Sequence, residues 1–294
     1  MKKNRFLLLP VLGMLSVGMF ISCVDDETTS EKSSVLSINR AEVLTRSSKD
    51  TFEQGDQIGI FVLNEMGEKY SSNCWNNMAT LLENGWKVDR NIYLNEADGT
   101  MRAYYPYNAE VEQPGQIPVE SATQTDYLYS IPITVNVESP VVSLQMQHAL
   151  ALVKLVIKKD GYQGEGSVSG ISLQGINTEG TLDISTGEIL INKTGNESYK
   201  GDFALESDPL TIGIIALPQT VTSTTVLLMI DGERYGYKLP EGLWEQGKET
   251  TYTLGINTAG KKLFEIGNSS IDEWGSGGSY EGDLAPGIDI GTEI

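Results

Sequence analysis

Residues 224–239 read TTVLLMIDGERYGYKL and carry the clearest fold signal in the chain. Two runs rich in apolar and aromatic residues flank the dipeptide Asp231-Gly232. This dipeptide favours the two-residue turn of a β-hairpin, because both of its positions tolerate a positive φ. The stretch therefore predicts two antiparallel strands joined by a tight turn.

A second hairpin is predicted at residues 181–191, which read TLDISTGEILI. Two alternating arms surround Ser185-Thr186-Gly187. The acidic residues give it a superficial likeness to a calcium loop, but the D-x-[DN]-x-[DN]-G order of such loops is absent. The hairpin interpretation is therefore favoured over a calcium site.

The remaining sequence predicts an all-β protein, because short apolar or alternating runs are separated by turn signals throughout. Residues 75–83 are the only predicted helix, since Trp75, Met78, Ala79 and Leu82 have helical spacing. The other predicted strands lie at residues 35–44, 57–63, 101–105, 127–131, 133–137, 150–158, 168–173, 210–217 and 250–256.

The best candidate for a domain boundary is residues 136–142, which contain Ser139-Pro140. A division there gives an N-terminal β-sandwich at residues 47–139 and a C-terminal one at residues 140–275. Each half has a normal size for a single β-sandwich.

Charge excludes several classes of partner. The 294 residues include 21 Lys and Arg against 40 Asp and Glu, a formal net charge of −19. A nucleic-acid-binding surface needs excess positive charge, and an anionic membrane surface would repel so acidic a body. We therefore expect no nucleic-acid partner, and membrane contact only through an attached lipid.

The N-terminus predicts a lipoprotein. Residues 1–22 read as a bacterial signal peptide, with a basic start and an apolar run that is too short and interrupted to be a good spanning helix. Ile21-Ser22-Cys23 resembles a lipobox, which makes Cys23 the lipidated first residue of the mature chain. The acidic residues 25–27 resemble a surface-export signal, although an ordinary solvated linker is the alternative. The predicted location is the outer surface of the outer membrane.

The chain shows no catalytic constellation, so we predict no enzyme, no catalytic residue, no cofactor and no metal site. P-loop, GxSxG, HExxH and CxxC motifs are all absent. The single histidine, His148, excludes a multi-histidine zinc site and leads into an apolar strand, which favours a core or interface position. Cys74 stands beside Trp75 and is interpreted as a small buried apolar residue.

Several phrases together resemble the fimbrillin family of Bacteroidetes, the type V pilins and their relatives. Their order and spacing extend over residues 45–274. The phrases are Thr45-Arg46, FEQGDQIGIF at 52–61, AYYPY at 103–107, HALA at 148–151, ALPQ at 216–219, WEQGK at 244–248 before Thr251-Tyr252, and IDEW at 271–274.

The resemblance implies two tandem transthyretin-like β-sandwich domains, exported as a lipoprotein and assembled into fimbriae. In that family a protease cuts after an arginine and releases the lipidated pro-segment with its first strand. The vacated groove then accepts a strand from a neighbouring subunit, which makes other fimbrial subunits the expected partners. Such head-to-tail contacts do not close, and they therefore produce filaments.

Carried onto this sequence, the resemblance makes Arg46 the processing site and Ser47 the new N-terminus. The pro-segment is then residues 23–46, and residues 35–44 are the removable strand, although they alternate only partly. The alternative for Arg46 is an ordinary surface arginine.

The C-terminal residues 276–294 are a candidate donor strand. Ile288, Ile290 and Ile294 share one face of an alternating run, after a connection rich in glycine. The alternative is a frayed tail, or a strand that folds back onto its own domain.

A different class of function is a monomeric surface lipoprotein that binds host or bacterial glycans through exposed aromatic residues. Tyr104, Tyr105 and Tyr107 are the candidate patch. Alternation around Pro106 more simply places some of these rings in a core.

Overall fold

The fold is all β, as predicted. A computed structural model describes residues 32–44, 52–159, 161–205, 209–257, 262–274 and 284–287. Within these residues the chain consists of strands and their connections, with no helix. The strands of the first half are β1 Ser34–Val35, β2 Ser37–Val43, β3 Gln57–Leu63, β4 Asn77–Leu82, β5 Gly85–Val88, β6 Tyr93–Leu94, β7 Gly99–Tyr105, β8 Ile117–Glu120, β9 Leu128–Ser130, β10 Ile133–Val135 and β11 Val141–His148. Those of the second half are β12 Ala151–Lys158, β13 Ser167–Leu182, β14 Ile189–Ala204, β15 Leu210–Ala216, β16 Gln219–Val221, β17 Thr225–Ile230, β18 Glu233–Lys238, β19 Gly242–Trp244, β20 Lys248–Asn257, β21 Lys262–Glu265, β22 Ser270–Glu273 and β23 Ala285–Pro286.

The first sheet has eight strands in the order β2-β11-β9-β7-β3-β4-β5, and β10 pairs with β7. Its two end strands, β2 and β5, also contact each other, so the sheet curls around its own core. The short strands β1 and β6 form a separate antiparallel pair beside it. The core side chains come from every second residue of these strands, as alternation predicts.

The second sheet has eleven strands, with the path β15-β12-β20-β21-β18-β17-β13-β14-β23. Strand β22 pairs with β20, and β8 from the first half of the chain pairs with β13. Its core includes Trp244 and Tyr252, whose polar atoms pair within the core: the indole N–H donates to the tyrosine hydroxyl at 3.1 Å.

Both predicted hairpins are confirmed. Asp231 and Gly232 have φ of 50° and 77° between the antiparallel strands β17 and β18. Strands β13 and β14 form the second hairpin, where Leu182 lies opposite Ile189 across the turn. Local turn chemistry therefore fixes both connections.

The predicted helix at residues 75–83 is wrong. Residues 77–82 form β4, which pairs antiparallel with both β3 and β5. Asn76 has a φ of 45°, which interrupts any helix at that point, and the Trp75 ring packs edge-on against Phe61 at 5.2 Å. Pairing with distant strands overrides the helical spacing of the apolar residues.

The chain passes from the first sheet to the second between His148 and Ala151. A third cluster of buried apolar side chains joins the sheets there, including Phe61 from β3 and Leu182 from β13. Strand β11, which follows the predicted boundary at Ser139-Pro140, belongs to the first sheet. The division into two domains stays a prediction.

Replacing Gly59 by alanine is expected to lower the free energy of unfolding by about 3 kcal/mol, as in overpacked cores. A Cβ atom on this buried β3 residue would lie 2.0 Å from Tyr104 Cε1. Urea unfolding measures the effect, with Gly242→Ala as the control because no atom lies within 4 Å of its added Cβ. Equal stability of the two variants would contradict the packing described here.

Candidate strand-exchange site

Strand β2 lies at the edge of the first sheet and pairs in parallel with β11. At its start the Ser37 N–H donates to the Pro140 carbonyl at 2.9 Å, and at its end the Leu44 N–H donates to the Met146 carbonyl at 2.7 Å. Because β2 is an edge strand, its removal would leave one side of β11 without backbone partners.

A bulge in β2 explains why residues 35–44 alternate only partly. Ile38 and Arg40 pair with two consecutive residues of β11, Val142 and Ser143. Asn39 is therefore the extra residue of the bulge. Before the bulge the inward side chains are Leu36 and Ile38, which are 2% and 5% exposed. After it they are Ala41 and Val43, which pack against the first core while partly exposed.

The surface under β2 is apolar. Val142, Leu144 and Met146 of β11 are buried there, together with Ile92 and Leu94 near β1. Removing β2 would therefore uncover an apolar groove along an unpaired strand edge. These two properties allow a groove to accept an added strand, because backbone bonds supply affinity and side-chain pockets supply specificity.

Charge contributes little to holding β2 in place. Arg40 and Glu42 form an ion pair at 2.9 Å, with side chains 61% and 54% exposed. Exposed pairs of this kind contribute less than about 1 kcal/mol. Apolar burial and backbone hydrogen bonds are the main attachments of the strand.

The predicted site residues lie outside the described part of the chain. They are Cys23, Arg46, Ser47, Ile288, Ile290 and Ile294. Arg46 comes two residues after Leu44, the last described residue of the β2 segment. Lipidation, processing and strand donation at these residues stay predictions.

His148 ends β11 at the junction of the sheets, and its predicted core position is confirmed. Its imidazole is buried, stacks on the Trp274 indole at 4.1 Å, and places Nδ1 2.9 Å from Asp126 Oδ1. In the described ranges no group of three or more His, Cys, Asp or Glu side chains could hold a metal ion.

Cys74 is buried, as predicted, and its thiol forms hydrogen bonds with the backbone. Its thiol donates to the Ser71 carbonyl oxygen at 2.8 Å, and the Ser71 N–H donates back to Sγ at 3.2 Å. The thiol therefore closes a local turn within the first core.

The exposed aromatic patch predicted at residues 104–107 is wrong. Tyr104 is fully buried and its hydroxyl lies 2.8 Å from Asn76 Oδ1, while Tyr105 and Tyr107 are partly buried. Tyr105 packs edge-on against Phe52 at 5.5 Å. Alternation along β7 directs Tyr104 and Tyr105 into different cores, and Tyr107 packs against the same cluster as Tyr104, so the three rings do not form a common glycan platform.

Tyr104 gives the protein a testable alkaline sensitivity. Burial raises the pKa of Tyr104 to about 12. The unfolded side chain titrates near pH 10, so the stability that comes from burying the protonated phenol is complete below about pH 10. It is lost as the pH rises from 10 toward 12. Between pH 8 and pH 11, Tyr104→Phe is expected to lose about 1 kcal/mol less stability than the native chain.

Urea unfolding at both pH values measures that difference. Tyr93→Phe is the matched control, because Tyr93 is an exposed side chain. If Tyr104→Phe and the native chain lost equal stability, the pKa of the Tyr104 phenol would not be raised by burial.

Comparison with known proteins gives the family. A model of a family described as fimbrillin-like matches residues 45–274, more than three quarters of the chain. The chain belongs to the fimbrillin-like family.

Similar proteins agree with this membership. This fimbrillin-like chain is 25% identical over 263 residues to a candidate fimbrium subunit, Fim1C, of Bacteroides uniformis, covering 81% of this chain and 84% of the relative. A crystal structure of a candidate cell adhesion protein from Bacteroides ovatus aligns with a TM-score of 0.64 at 21% identity, over 83% of this chain and 98% of the other. A fimbrial protein from Bacteroides vulgatus aligns with a TM-score of 0.56 at 12% identity, over 82% and 99%. The two structures show that the fold is shared.

The described residues of this fimbrillin-like chain include no helix long and apolar enough to cross a membrane.

Proposed function

We propose that the chain is a structural subunit of surface fimbriae, assembled by strand exchange at the groove under β2. Membership of the fimbrillin-like family and the similarity to a fimbrium subunit support the fimbrial role. The observation that carries the proposal is the edge position of β2, whose buried Ile38, like Leu36 just before the strand, lies in one apolar core with the inward residues of β11.

Assembly proceeds in three steps in this proposal. Lipid on Cys23 holds the precursor at the outer membrane while β2 fills its own groove. Cleavage after Arg46 separates residues 23–46 from the body and removes β2. A strand from a second subunit then pairs with β11, and the isoleucines at 288, 290 and 294 supply the apolar face of that donor.

The same steps predict that an unprocessed subunit stays monomeric. With β2 in place, the backbone groups of β11 that face β2 are paired, and the inward apolar residues of β11 are buried. The incoming strand would have to displace both kinds of contact at once. Fimbriae built this way would support adhesion to host or bacterial surfaces through residues outside the groove.

N-terminal sequencing of protein taken from purified surface fimbriae tests the proposal. Chains that begin at Ser47 are the expected result. Chains that all begin at Cys23 and are extracted as single lipidated molecules would overturn the proposed assembly. The Arg46→Gln variant is the control, since its chains are expected to keep residues 23–46.

A further inference from the structure

The segment that fills the groove under β2, residues 34–44, pairs with two different strands. Ser34 and Val35, which form β1, lie antiparallel to Leu94 and Tyr93 of β6. The chain then continues into β2, which pairs in parallel with β11. The groove that this segment occupies therefore extends beyond β11 and includes β6.

The change of partner takes place between two successive residues. The Leu36 N–H donates to the Ile92 carbonyl at 2.9 Å, and the Ser37 N–H donates to the Pro140 carbonyl at 2.9 Å. Successive amides of an extended strand point to opposite edges of that strand. Ile92 and Pro140 therefore lie on opposite edges of the segment and hold it between them as a clamp.

Both sides of this clamp belong to the part of the chain that follows Arg46. The Val137 N–H donates to the Asn95 carbonyl at 2.8 Å, which ties the residues before β11 to the residues after β6. The Ser34 hydroxyl donates to the Val137 carbonyl at 3.0 Å. Removal of residues 23–46 takes away the clamped segment and none of the residues that clamp it.

A large apolar side chain lies at the clamp. Leu36 is buried and belongs to the same core cluster as the fully buried Ile92 and Leu94. The next residue, Ser37, is exposed. A slip of the segment by one residue would turn Leu36 outward and break both clamp hydrogen bonds. The clamp therefore accepts one register.

We propose that the clamp between β6 and the start of β11 fixes the register of the strand that a neighbouring subunit donates. This inference rests on the proposed function and adds β6 to the acceptor site. The partner is a β-strand with a large apolar residue at the clamped position, where it refills the core beside Ile92. Proline is excluded there and at the next position, because both amides have to donate a hydrogen bond.

Disulfide trapping shows whether an incoming strand reaches β6. The protein carries Cys23→Ser and Tyr93→Cys and is cleaved after Arg46. The probe is a synthetic peptide of residues 34–44 with Val35→Cys. Val35 and Tyr93 are exposed and lie opposite each other, with Cα atoms about 4.5 Å apart for a pair of this kind, within disulfide range. The peptide is expected to become linked to the protein, as mass spectrometry would show.

A second pair reports on the β11 side of the same groove. Ser37 lies opposite the exposed Val141, so a Ser37→Cys peptide is expected to link to Val141→Cys protein. A Glu42→Cys peptide is the control for both proteins, because its thiol lies near the other end of β2 and should react at least tenfold more slowly.

The two pairs separate failure of the clamp from failure of strand exchange. Linkage at Val141 without faster linkage at Tyr93 than in the control would overturn the clamp and leave strand exchange intact. Linkage at neither position would contradict strand exchange into this groove, and the clamp with it.

An ester in place of one peptide amide tests the hydrogen bond to β6 by itself. An ester at Leu36 keeps the side chain and removes the donor to Ile92, so this peptide is expected to compete at least fivefold more weakly against fluorescent native peptide. The Ser37 ester is the reference, since it removes the bond to Pro140 and should weaken binding by a similar factor. A Leu36 ester that competes as well as the native peptide, when the Ser37 ester does not, would also overturn the clamp.

Discussion

Cleavage after Arg46 is expected to convert monomeric protein into a ladder of oligomers. Loss of residues 23–46 removes β2 and the residue before it, and the buried Leu36 and Ile38 are each worth about 1.5–3 kcal/mol of apolar burial. A donor strand restores this burial and the backbone bonds of β11 in the next subunit. Incubation with an Arg-specific protease, followed by native gels and size-exclusion chromatography, measures the conversion.

Two arginine variants make this experiment specific. Arg46→Gln is expected to stay intact and monomeric. Arg40→Gln is expected to be cut after residue 46 and to polymerise like the native chain. Arg40 lies within the paired strand β2, so a protease cannot bind it in the extended form that cleavage needs. A fully trimmed protein that remained monomeric at high concentration would contradict strand exchange.

A charge at position 38 is expected to release β2 without any cleavage after Arg46. Ile38→Asp would place a carboxylate against the buried residues of β11, at a cost of about 3 kcal/mol or more if the strand stayed docked. The strand avoids this cost by detaching. Detachment exposes Arg40, so its cleavage by trypsin is expected to speed up by about a hundredfold, the kinetic equivalent of that energy.

The adjacent bulge residue supplies the control for this variant. Asn39→Asp adds the same charge one position away, at an exposed side chain. Its effect on stability is expected to stay within about 0.5 kcal/mol, as for most surface substitutions. If Arg40 were cleaved at the same rate in both variants, Ile38 would not be an anchor of β2.

The sequence predicts the parts of the fold that depend on neighbouring residues. Asp231-Gly232 determines its hairpin because two successive positive φ angles are needed there. The buried positions of His148 and Cys74 follow equally from the apolar residues beside them. The helix predicted from the spacing at residues 75–83 is wrong, because short apolar runs suit a strand as well as a helix. The pairing of β4 with β3 and β5 decides for the strand.

The geometry of the candidate site was largely beyond prediction. The strand within residues 35–44 was predicted, since Leu36 and Ile38 mark it as apolar, and its removal stays a prediction. Its parallel pairing with β11 joins segments about one hundred residues apart, and nothing in residues 35–44 specifies that partner. The bulge at Asn39 was visible only as an interrupted alternation. The aromatic patch failed because Tyr104 and Tyr105 face different cores, which depends on the tertiary contacts of β7.

Peptide competition tests the central claim most directly, because it asks whether the groove under β2 is the acceptor. A synthetic peptide of residues 34–44, SVLSINRAEVL, is added to protein trimmed after Arg46. The account predicts that this peptide refills the groove and blocks ladder formation, whereas the same peptide with Leu36→Ser and Ile38→Ser does not. A ladder that forms equally fast with either peptide, or with none, would contradict it.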